Sequence, residues 1–440
     1  MREKYKLEKP RSDKFTLTRE SFEIYLKNNL ERYSDEEYLY WDKIKYKELP
    51  PDIKKHEDLW AMIKFFRLNS NKTPIEIESG WFFQFAELPF SKKLLHEIDK
   101  NAAGTFFTSV TDADKRLFIT NWMLEEAISS SQIEWASTTT KNAKEMIQKW
   151  IKPKTRDEHM ILNNYEAINY IKNELSKRKI EIGDILYLQS VLTKNTLEEE
   201  DEIGRFRTDK DEIIVEFEWK EVHRPPTEKF LKEQMIKLIE FANDENTATS
   251  FIHPVIKAIL IHFWIGYLHP FCDGNGRTAR ALFYWYLLKN DYFGFSYIPL
   301  SKAIKKSKIE YAKSYIYSEQ DDNDVTYFIN YNLKKIQQAL KDFEKYVEEK
   351  FSEKKKNISF LWHLALNERQ MKLIEYFLEK PTSYTNFWIH MKYYGISKSS
   401  SINDLKDLVK KWYLKKLKSG RNTNYIPVDN LVEIIKKKDS

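Results

Sequence analysis

A single cysteine, Cys272, stands in 440 residues. One thiol excludes internal disulfides and any cysteine-rich zinc site, so the chain suits a reducing compartment and the cytoplasm is the expected location. Glycine and proline are scarce as well, 10 and 13 in all, which leaves little material for flexible low-complexity linkers. Long apolar runs are missing. The most hydrophobic stretch, "VIKAILIHFWIGYL" at 255–268, is too short to span a bilayer and carries Lys257 and His262. No basic segment followed by an apolar one opens the chain, so neither secretion nor membrane insertion is expected.

What remains is a folded, multidomain, mainly helical protein. Hydrophobic residues make up 42% and aromatics 15%, enough to bury a core, and the length implies two or three units. Charge is unevenly spread. Residues 351–440 hold 18 Lys or Arg against 9 Asp or Glu, a surplus of +9, while the whole chain carries only +6. The surplus suggests a polyanion-facing domain at that end, although a lysine-rich face also serves simple solubility.

Residues 1–110 mix apolar clusters such as "LWAMIKFFRL" and "GWFFQFAELPF" with polar breaks, and read as a helical region with loops. From residue 111 the pattern sharpens. Thr111 or Asp112 is placed to cap a helix over about 112–136, with Leu117, Asn121, Leu124 and Ile128 at helical spacing. A second amphipathic region covers about 158–198. The segment "IIVEFEWKEV" then alternates with period two, and Pro225 with Pro226 ends it, which predicts a hairpin over about 212–222. Helical patterns resume at 227–242, 252–268 and after 280, and the charged "EEKFSEKKKN" marks a boundary near 350, with 346–365 expected as a linker.

Between two apolar helices lies "HPFCDGNGRTAR", residues 269–280. Two glycines around Asn275 before a helix let backbone N–H groups converge on an anion. Arg277 and Arg280, three apart on the first turn, are placed to reach one anion with charge-assisted bonds. Asp273 offers a hard oxygen ligand, as Mg²⁺ uses when it also binds substrate phosphates. His269 titrates near neutrality and suits a general base. Taken singly, a buried histidine or a "GNG" turn is ordinary; twelve such residues together point to a nucleotide polyphosphate site.

The stretch resembles the Fic family motif, His-Pro-Phe-x-Asp/Glu-Gly-Asn-Gly-Arg-x-x-Arg, at every fixed position, and the resemblance extends over about residues 111–345, including "GRFR" at 204–207. It implies an all-helical Fic core with a short hairpin flap. It also implies transfer of AMP from ATP to a Ser, Thr or Tyr hydroxyl of a target protein, or of the chain itself, with release of pyrophosphate. His269 would activate the hydroxyl and Asp273 would hold Mg²⁺. Gly274, Asn275 and Gly276 would form the anion hole, Arg277 and Arg280 would neutralise the outer phosphates, and Thr278 and Ala279 complete the nucleotide-binding stretch. The 212–222 hairpin resembles the flap that registers an extended target segment by strand addition. Tyr311 in "KIEYAKSYIY" resembles an aromatic residue placed near the nucleoside.

The segment "SSSQIEW" resembles the family's inhibitory motif, with Ser130 and Glu134 four apart on one side of a helix. The resemblance implies that Glu134 pairs with Arg280 and holds the site inactive. Trp135 departs from the pattern, which has a small residue there, and a bulky indole is expected to alter how the helix ends. Residues 366–427 read as three helices and a basic hairpin, with Pro381 closing the first helix, Gly395 turning the chain, and a helix from Ser397 to about Trp412. The arrangement, within a 366–440 domain, resembles a winged helix-turn-helix. DNA is the implied partner, through that third helix in the major groove and Lys418 and Arg421 on phosphates; winged helices also dock proteins or dimerise. Two other readings stay open: a DNA-binding regulator whose Fic domain senses nucleotide, and an enzyme that removes AMP with Glu134 orienting water. A homo-oligomer is a further expectation.

Overall fold

The computed structural model describes residues 3–10, 18–67, 71–103, 112–149, 151–245, 251–362, 364–419 and 422–437. Thr111 and Arg421, named above, lie outside them. The chain divides into two compact units, Met1–Lys341 and Asp342–Ser440.

The first unit opens with α1 (Arg19–Lys27), α2 (Glu31–Ser34), α3 (Trp41–Ile44) and α4 (His56–Phe66). A hairpin of β1 (Asn71–Glu76) and β2 (Phe82–Phe85) and helix α5 (Pro89–Ile98) follow. Next come α6 (Asp112–Ile133), α7 (Thr140–Gln148), α8 (Arg156–Asn173) and α9 (Ile182–Thr193), then a second hairpin, β3 (Val215–Phe217) and β4 (Lys220–His223). Helices α10 (Glu228–Ala242), α11 (Pro254–Leu268), α12 (Asn275–Lys289), α13 (Leu300–Lys305) and α14 (Lys308–Gln320) complete the unit, and α15 (Thr326–Trp362) carries the chain across the boundary. The mainly helical class expected from the sequence is the one found.

Helices α11 and α12 are the heart of this unit. Apolar residues occupy nearly every position of α11, and almost all of them are buried, as a helix packed on all faces requires. The large cluster around them draws Trp122 and Ala127 from α6, Ala167 and Ile171 from α8, Leu188 and Leu192 from α9, and Phe328 and Leu333 from α15. Helix α6 is pinned by a buried acid. Glu126 accepts hydrogen bonds from the Ser301 backbone N–H (3.0 Å), the Ser301 hydroxyl and the Tyr284 hydroxyl (2.8 Å). Burial raises its pKa despite those donors.

The first 110 residues are not a separate helical region. Phe83 and Phe85 of β2 join the large core, and Phe83 packs edge-on against Phe263 and Tyr267 of α11. The "FFQF" stretch forms a strand because alternate side chains reach that core while the intervening Gln84 pairs with β1. A second cluster joins Trp41, Trp60 and Ile63 to Ile316 of α14 and Tyr327 of α15. Residues 346–362, in the stretch expected as a linker, continue α15. The charged run lies within that helix, and Lys345, just before it, is paired with its Glu349 at i,i+4.

The second unit contains α16 (Glu368–Glu379), α17 (Phe387–Tyr394), α18 (Lys398–Lys410), the hairpin β5 (Leu414–Ser419) and β6 (Asn422–Pro427), and α19 (Leu431–Lys437). Its punctuation follows the sequence. Asn367 and Gln370 form a capping box, Gly395 takes φ +61° after α17, and the Ser397 hydroxyl caps α18 by accepting from Ser400 N–H (3.1 Å). Leu373, Phe377, Leu405, Leu408, Tyr413 and Tyr425 fill its core. Exposed along α18 are Ser399, Asn403, Lys406 and Lys410, a polar row on one face.

Candidate active site

The 269–280 stretch spans the junction of α11 and α12. His269 caps α11 with φ +46°, an uncommon backbone for a residue with a side chain, and its N–H donates to Ile265 O at 2.9 Å. Gly274 follows at φ +88°, where glycine alone is unstrained, and caps α12. Asn275 closes the loop on itself, accepting from Phe271 N–H (2.9 Å) and donating to Phe271 O (2.8 Å). The first turn of α12, whose N–H groups lack intrahelical acceptors, thus meets a cleft of about 510 Å³ whose walls include Asn275, Gly276, His269, Arg280, Tyr311 and Glu134.

Two residues that the sequence did not single out hold this loop. Arg207, the last residue of "GRFR", is buried; its Nε donates to His269 O (2.8 Å) and its Nη2 to Pro226 O (2.6 Å) and Leu268 O (3.2 Å). Gln189 of α9 accepts from Gly204 N–H (2.6 Å) and donates to Asp273 O (3.2 Å). Arg207→Ala would orphan three carbonyls and open a cavity, so we expect a loss of about 3 kcal/mol. A fall in the midpoint of urea unfolding checks it.

His269 donates from Nδ1 to Gly266 O at 3.4 Å, which leaves Nε2 as the basic nitrogen. Burial, and then the neighbouring His223, push its pKa down to about 3, so the ring is neutral over the physiological range.

The brake residues meet as the motif implies. Arg280 Nε donates to Ser130 Oγ (2.9 Å), and its Nη2 donates to Ser130 O (3.0 Å) and Glu134 Oε1 (2.8 Å). Its Nη1 is buried and has no hydrogen-bond partner among the described residues. A methyl group added at Gly276 would overlap the Glu134 carboxylate, so that carboxylate rests directly on the first turn of α12. An anion already occupies the place where backbone and guanidinium groups would receive one.

Trp135 does not disturb the helix end. It adopts φ +68°, the left-handed residue that closes many helices, and its indole lies exposed. Lys308 at the start of α14 stands 4.2 Å above that ring and donates to Gln132 O (2.5 Å) and Ile133 O (3.2 Å). A cation thus satisfies the last carbonyls of α6, at its negative end.

Arg277 departs from the expectation that both arginines reach one anion. Its side chain is fully buried, donating to Leu192 O (2.6 Å) at the end of α9 and to Asp273 Oδ2 (3.1 Å). The spacing puts both stems on one face, but the Leu192 carbonyl and Asp273 claim this guanidinium. Thr278 and Ala279 are also wholly buried in α12. Tyr311 faces the cleft, and its hydroxyl meets His262 Nε2 at 2.8 Å.

Asp273 keeps a partly exposed carboxylate. Oδ1 accepts from Gly274 N–H (2.6 Å), while Oδ2 faces Arg277 Nη2 (3.1 Å) and Arg156 Nη2 (3.3 Å). No group of three or more His, Cys, Asp or Glu able to hold a metal gathers among the described residues. One hard carboxylate completed by phosphate oxygens is a donor set that fits Mg²⁺.

The β3–β4 hairpin overhangs the cleft, with Val215, Glu216, Phe217 and Val222 among its walls. Its turn, Glu218 and Trp219 at φ +51° and +65°, suits a two-residue hairpin without using glycine. The outer edge of β4 is taken by the start of the chain. Tyr5 N–H donates to Glu221 O (2.8 Å) and Glu221 N–H to Glu3 O (3.0 Å), in a parallel bridge.

Residues 179–287 match the family model for the Fic/DOC family. The chain is 30% identical over 130 residues to protein adenylyltransferase fic-1 of Caenorhabditis elegans, covering 29% of this chain and 23% of that relative. It is 36% identical over 143 residues to protein adenylyltransferase Fic of Drosophila melanogaster, covering 32% and 26%. The match therefore spans about a quarter of these curated relatives' length. Among solved structures, a Fic family protein from Desulfovibrio desulfuricans G20 shares the fold, with a TM-score of 0.52 at 17% identity, over 78% of this chain and 97% of that one. Glu134 lies outside residues 179–287, which the family model matches, so its part rests on the geometry above.

Proposed function

We propose that this chain, which carries a Fic domain, is a protein adenylyltransferase that moves AMP from ATP to a hydroxyl of a target protein or of itself, and that Glu134 holds it inactive. The observation that carries the reading is the Glu134 carboxylate seated on the first turn of α12 and bonded to Arg280. A site built to receive an anion there, beside a neutral imidazole, suits phosphoryl chemistry.

In the reaction, His269 Nε2 takes the proton of the target hydroxyl as that oxygen bonds the α-phosphorus. The bond to the pyrophosphate oxygen breaks, and pyrophosphate leaves with the electron pair. Arg280, freed from Glu134, binds the outer phosphates, and the N–H groups at the start of α12 stabilise charge on the transferred group. Asp273, together with phosphate oxygens, would hold Mg²⁺, which when bound would supply further neutralisation. The hairpin offers the target an extended edge on β3, because residues 3–5 close the edge of β4. Incubation with α-labelled ATP and Mg²⁺, followed by mass spectrometry of adducts on the protein and on lysate, tests the reading. Adducts of +AMP that need His269 support it, and their absence from wild type and Glu134→Gly alike sinks it.

For the second unit, the polar row on α18 favours a winged helix that binds duplex DNA. Ser399 and Asn403 would meet base edges, while Lys406, Lys410 and Lys418 on β5 would meet phosphates. Lys406→Glu is expected to weaken duplex binding about tenfold at ~0.1 M salt and to flatten its salt dependence. Fluorescence anisotropy of the full chain across a salt series reads both.

A further inference from the structure

The β3–β4 hairpin is short and must hold one register above the cleft. His223, the last residue of β4, reaches two other elements at once. Its Nδ1 lies 2.6 Å from Glu319 Oε2 near the end of α14, and its Nε2 lies 2.7 Å from the Tyr267 carbonyl oxygen in the last turn of α11. Tyr267 stands two residues before His269. A backbone carbonyl and an ionised carboxylate both only accept, whereas a neutral imidazole has one N–H to give. Satisfying both partners takes the imidazolium.

The surroundings favour that form. Burial is the largest influence and opposes the charge, but the Glu319 carboxylate and the Tyr267 carbonyl together outweigh it, and the pKa stands above the ordinary histidine value. Arg207, from the segment before the hairpin, opposes the charge more weakly, and the Tyr267 ring packs beside His223. On its own segment, Glu221 and Arg224 are paired with each other at 2.6 Å. His269 lies beyond Tyr267 and feels the His223 charge.

We propose that His223 is a positioning residue of the transfer site: its two N–H donations tie the exit strand of the hairpin to α14 and to the turn of α11 that delivers His269, so that target strand and imidazole meet in one register. The consequence for transfer rests on the adenylyltransferase reading; the tie itself does not. Raising pH through the His223 midpoint removes one proton. The remaining N–H stays with the Tyr267 carbonyl, a lone pair then faces the Glu319 carboxylate, and the tie to α14 is lost. Below that midpoint the tie is intact.

Two variants separate geometry from charge. Glu319→Gln keeps both contacts, because a neutral His223 accepts from the new amide at Nδ1 and still donates from Nε2. His223→Ala removes both. Amide exchange over 215–223, read by mass spectrometry, and the titration of His269, read by NMR with ring-labelled histidine, both use the full chain and need no transfer activity. We expect exchange in His223→Ala to be about tenfold faster than wild type at pH 6, and that in Glu319→Gln to match it. Wild-type exchange should speed up beyond its intrinsic pH dependence above the His223 midpoint, and that of Glu319→Gln should not. The His269 midpoint should rise by about one pH unit in both variants. Unchanged exchange in His223→Ala, or a His269 midpoint unmoved in both, overturns the proposal. Should His223→Ala fail to fold, Glu319→Gln decides alone: a wild-type pH profile of exchange and an unmoved His269 midpoint overturn it. Transfer by Glu134→Gly is then compared with and without His223→Ala, where a fall in kcat/KM is expected and an equal rate counts against the register. Loss of transfer from Glu134→Gly itself would strike the adenylyltransferase reading and leave the exchange and titration results to judge the tie.

Discussion

Glu134→Gly is expected to raise AMP transfer about 100-fold. The figure follows from what the carboxylate removes: a single preorganised donor at a developing charge is worth about 10²–10³ in rate, and Glu134 holds one such donor on Arg280. The gain needs no rearrangement of the arginine. Ser130 continues to accept from Nε and Nη2 after the substitution, so the guanidinium stays aimed at the cleft with Nη1 still in search of an acceptor. Glu134→Gln is expected to fall between, since the amide keeps a neutral hydrogen bond without the charge. Arg280→Ala placed on top of Glu134→Gly should abolish the gain, which shows that the two act through one contact. Initial rates of label incorporation from α-labelled ATP decide it, and a Glu134→Gly rate equal to wild type would remove the brake from the account.

The brake depends on how α6 ends, and there the sequence was a partial guide. Ser130 and Glu134 could be placed on one face, because four residues on a helix fix it, and the resemblance to the inhibitory motif implied the pairing with Arg280. The effect of Trp135 could not, because it depends on Lys308, which approaches from a distant part of the chain to cover the last carbonyls of α6. Lys308→Ala should therefore loosen the brake, with a several-fold rise in the same assay, smaller than that of Glu134→Gly because the ion pair itself remains.

The same division runs through the rest of the site. His269, Asn275 and Gly276 were legible because twelve consecutive residues carry them and local backbone geometry aims them. The partners of Arg277 were not legible, since nothing in its spacing shows that the Leu192 carbonyl waits at the end of α9. Arg207, Gln189 and His223 bond backbone carbonyls or distant side chains, and such contacts leave no period in a sequence. The first 110 residues suffered from the same blindness: "FFQF" and "LWAMIKFFRL" are apolar enough to be core, but which core depends on Phe263, Tyr267 and Ile316, far along the chain. The 346–365 stretch was illegible for a different reason. A charged helix and a linker have the same composition, and only continuity of backbone hydrogen bonding separates them.

Loss of the imidazole is the severest change the site can suffer. His269→Ala is expected to lower transfer at least about 1,000-fold, within the 10²–10⁴ range of a positioned general base, and to do so in the Glu134→Gly background as well. The fold should survive, because Arg207 holds the loop through the backbone carbonyls of residues 268 and 269 and Asn275 closes it through Phe271, none of which involves the ring. Nucleotide binding should survive for the same reason: Arg280 and the first turn of α12 keep their places, so isothermal titration of Glu134→Gly,His269→Ala with ATP and Mg²⁺ should give a Kd within about threefold of the parent. The pH dependence carries the sign of the mechanism. With its pKa held down to about 3 by burial and by the His223 cation, His269 is already unprotonated at pH 5, so kcat/KM should not fall as pH is lowered from 7 to 5 and should decline only below that. A decline centred near 6.5, the ordinary histidine value, would mean that neither burial nor His223 governs the ring. Binding of ATP brings negative charge towards the imidazole and should raise its pKa, so the acid limb of kcat should lie above that of kcat/KM. This ordering matters for the chemistry, because a base that is too weak in the empty cleft becomes competent only once the phosphates that need it have arrived.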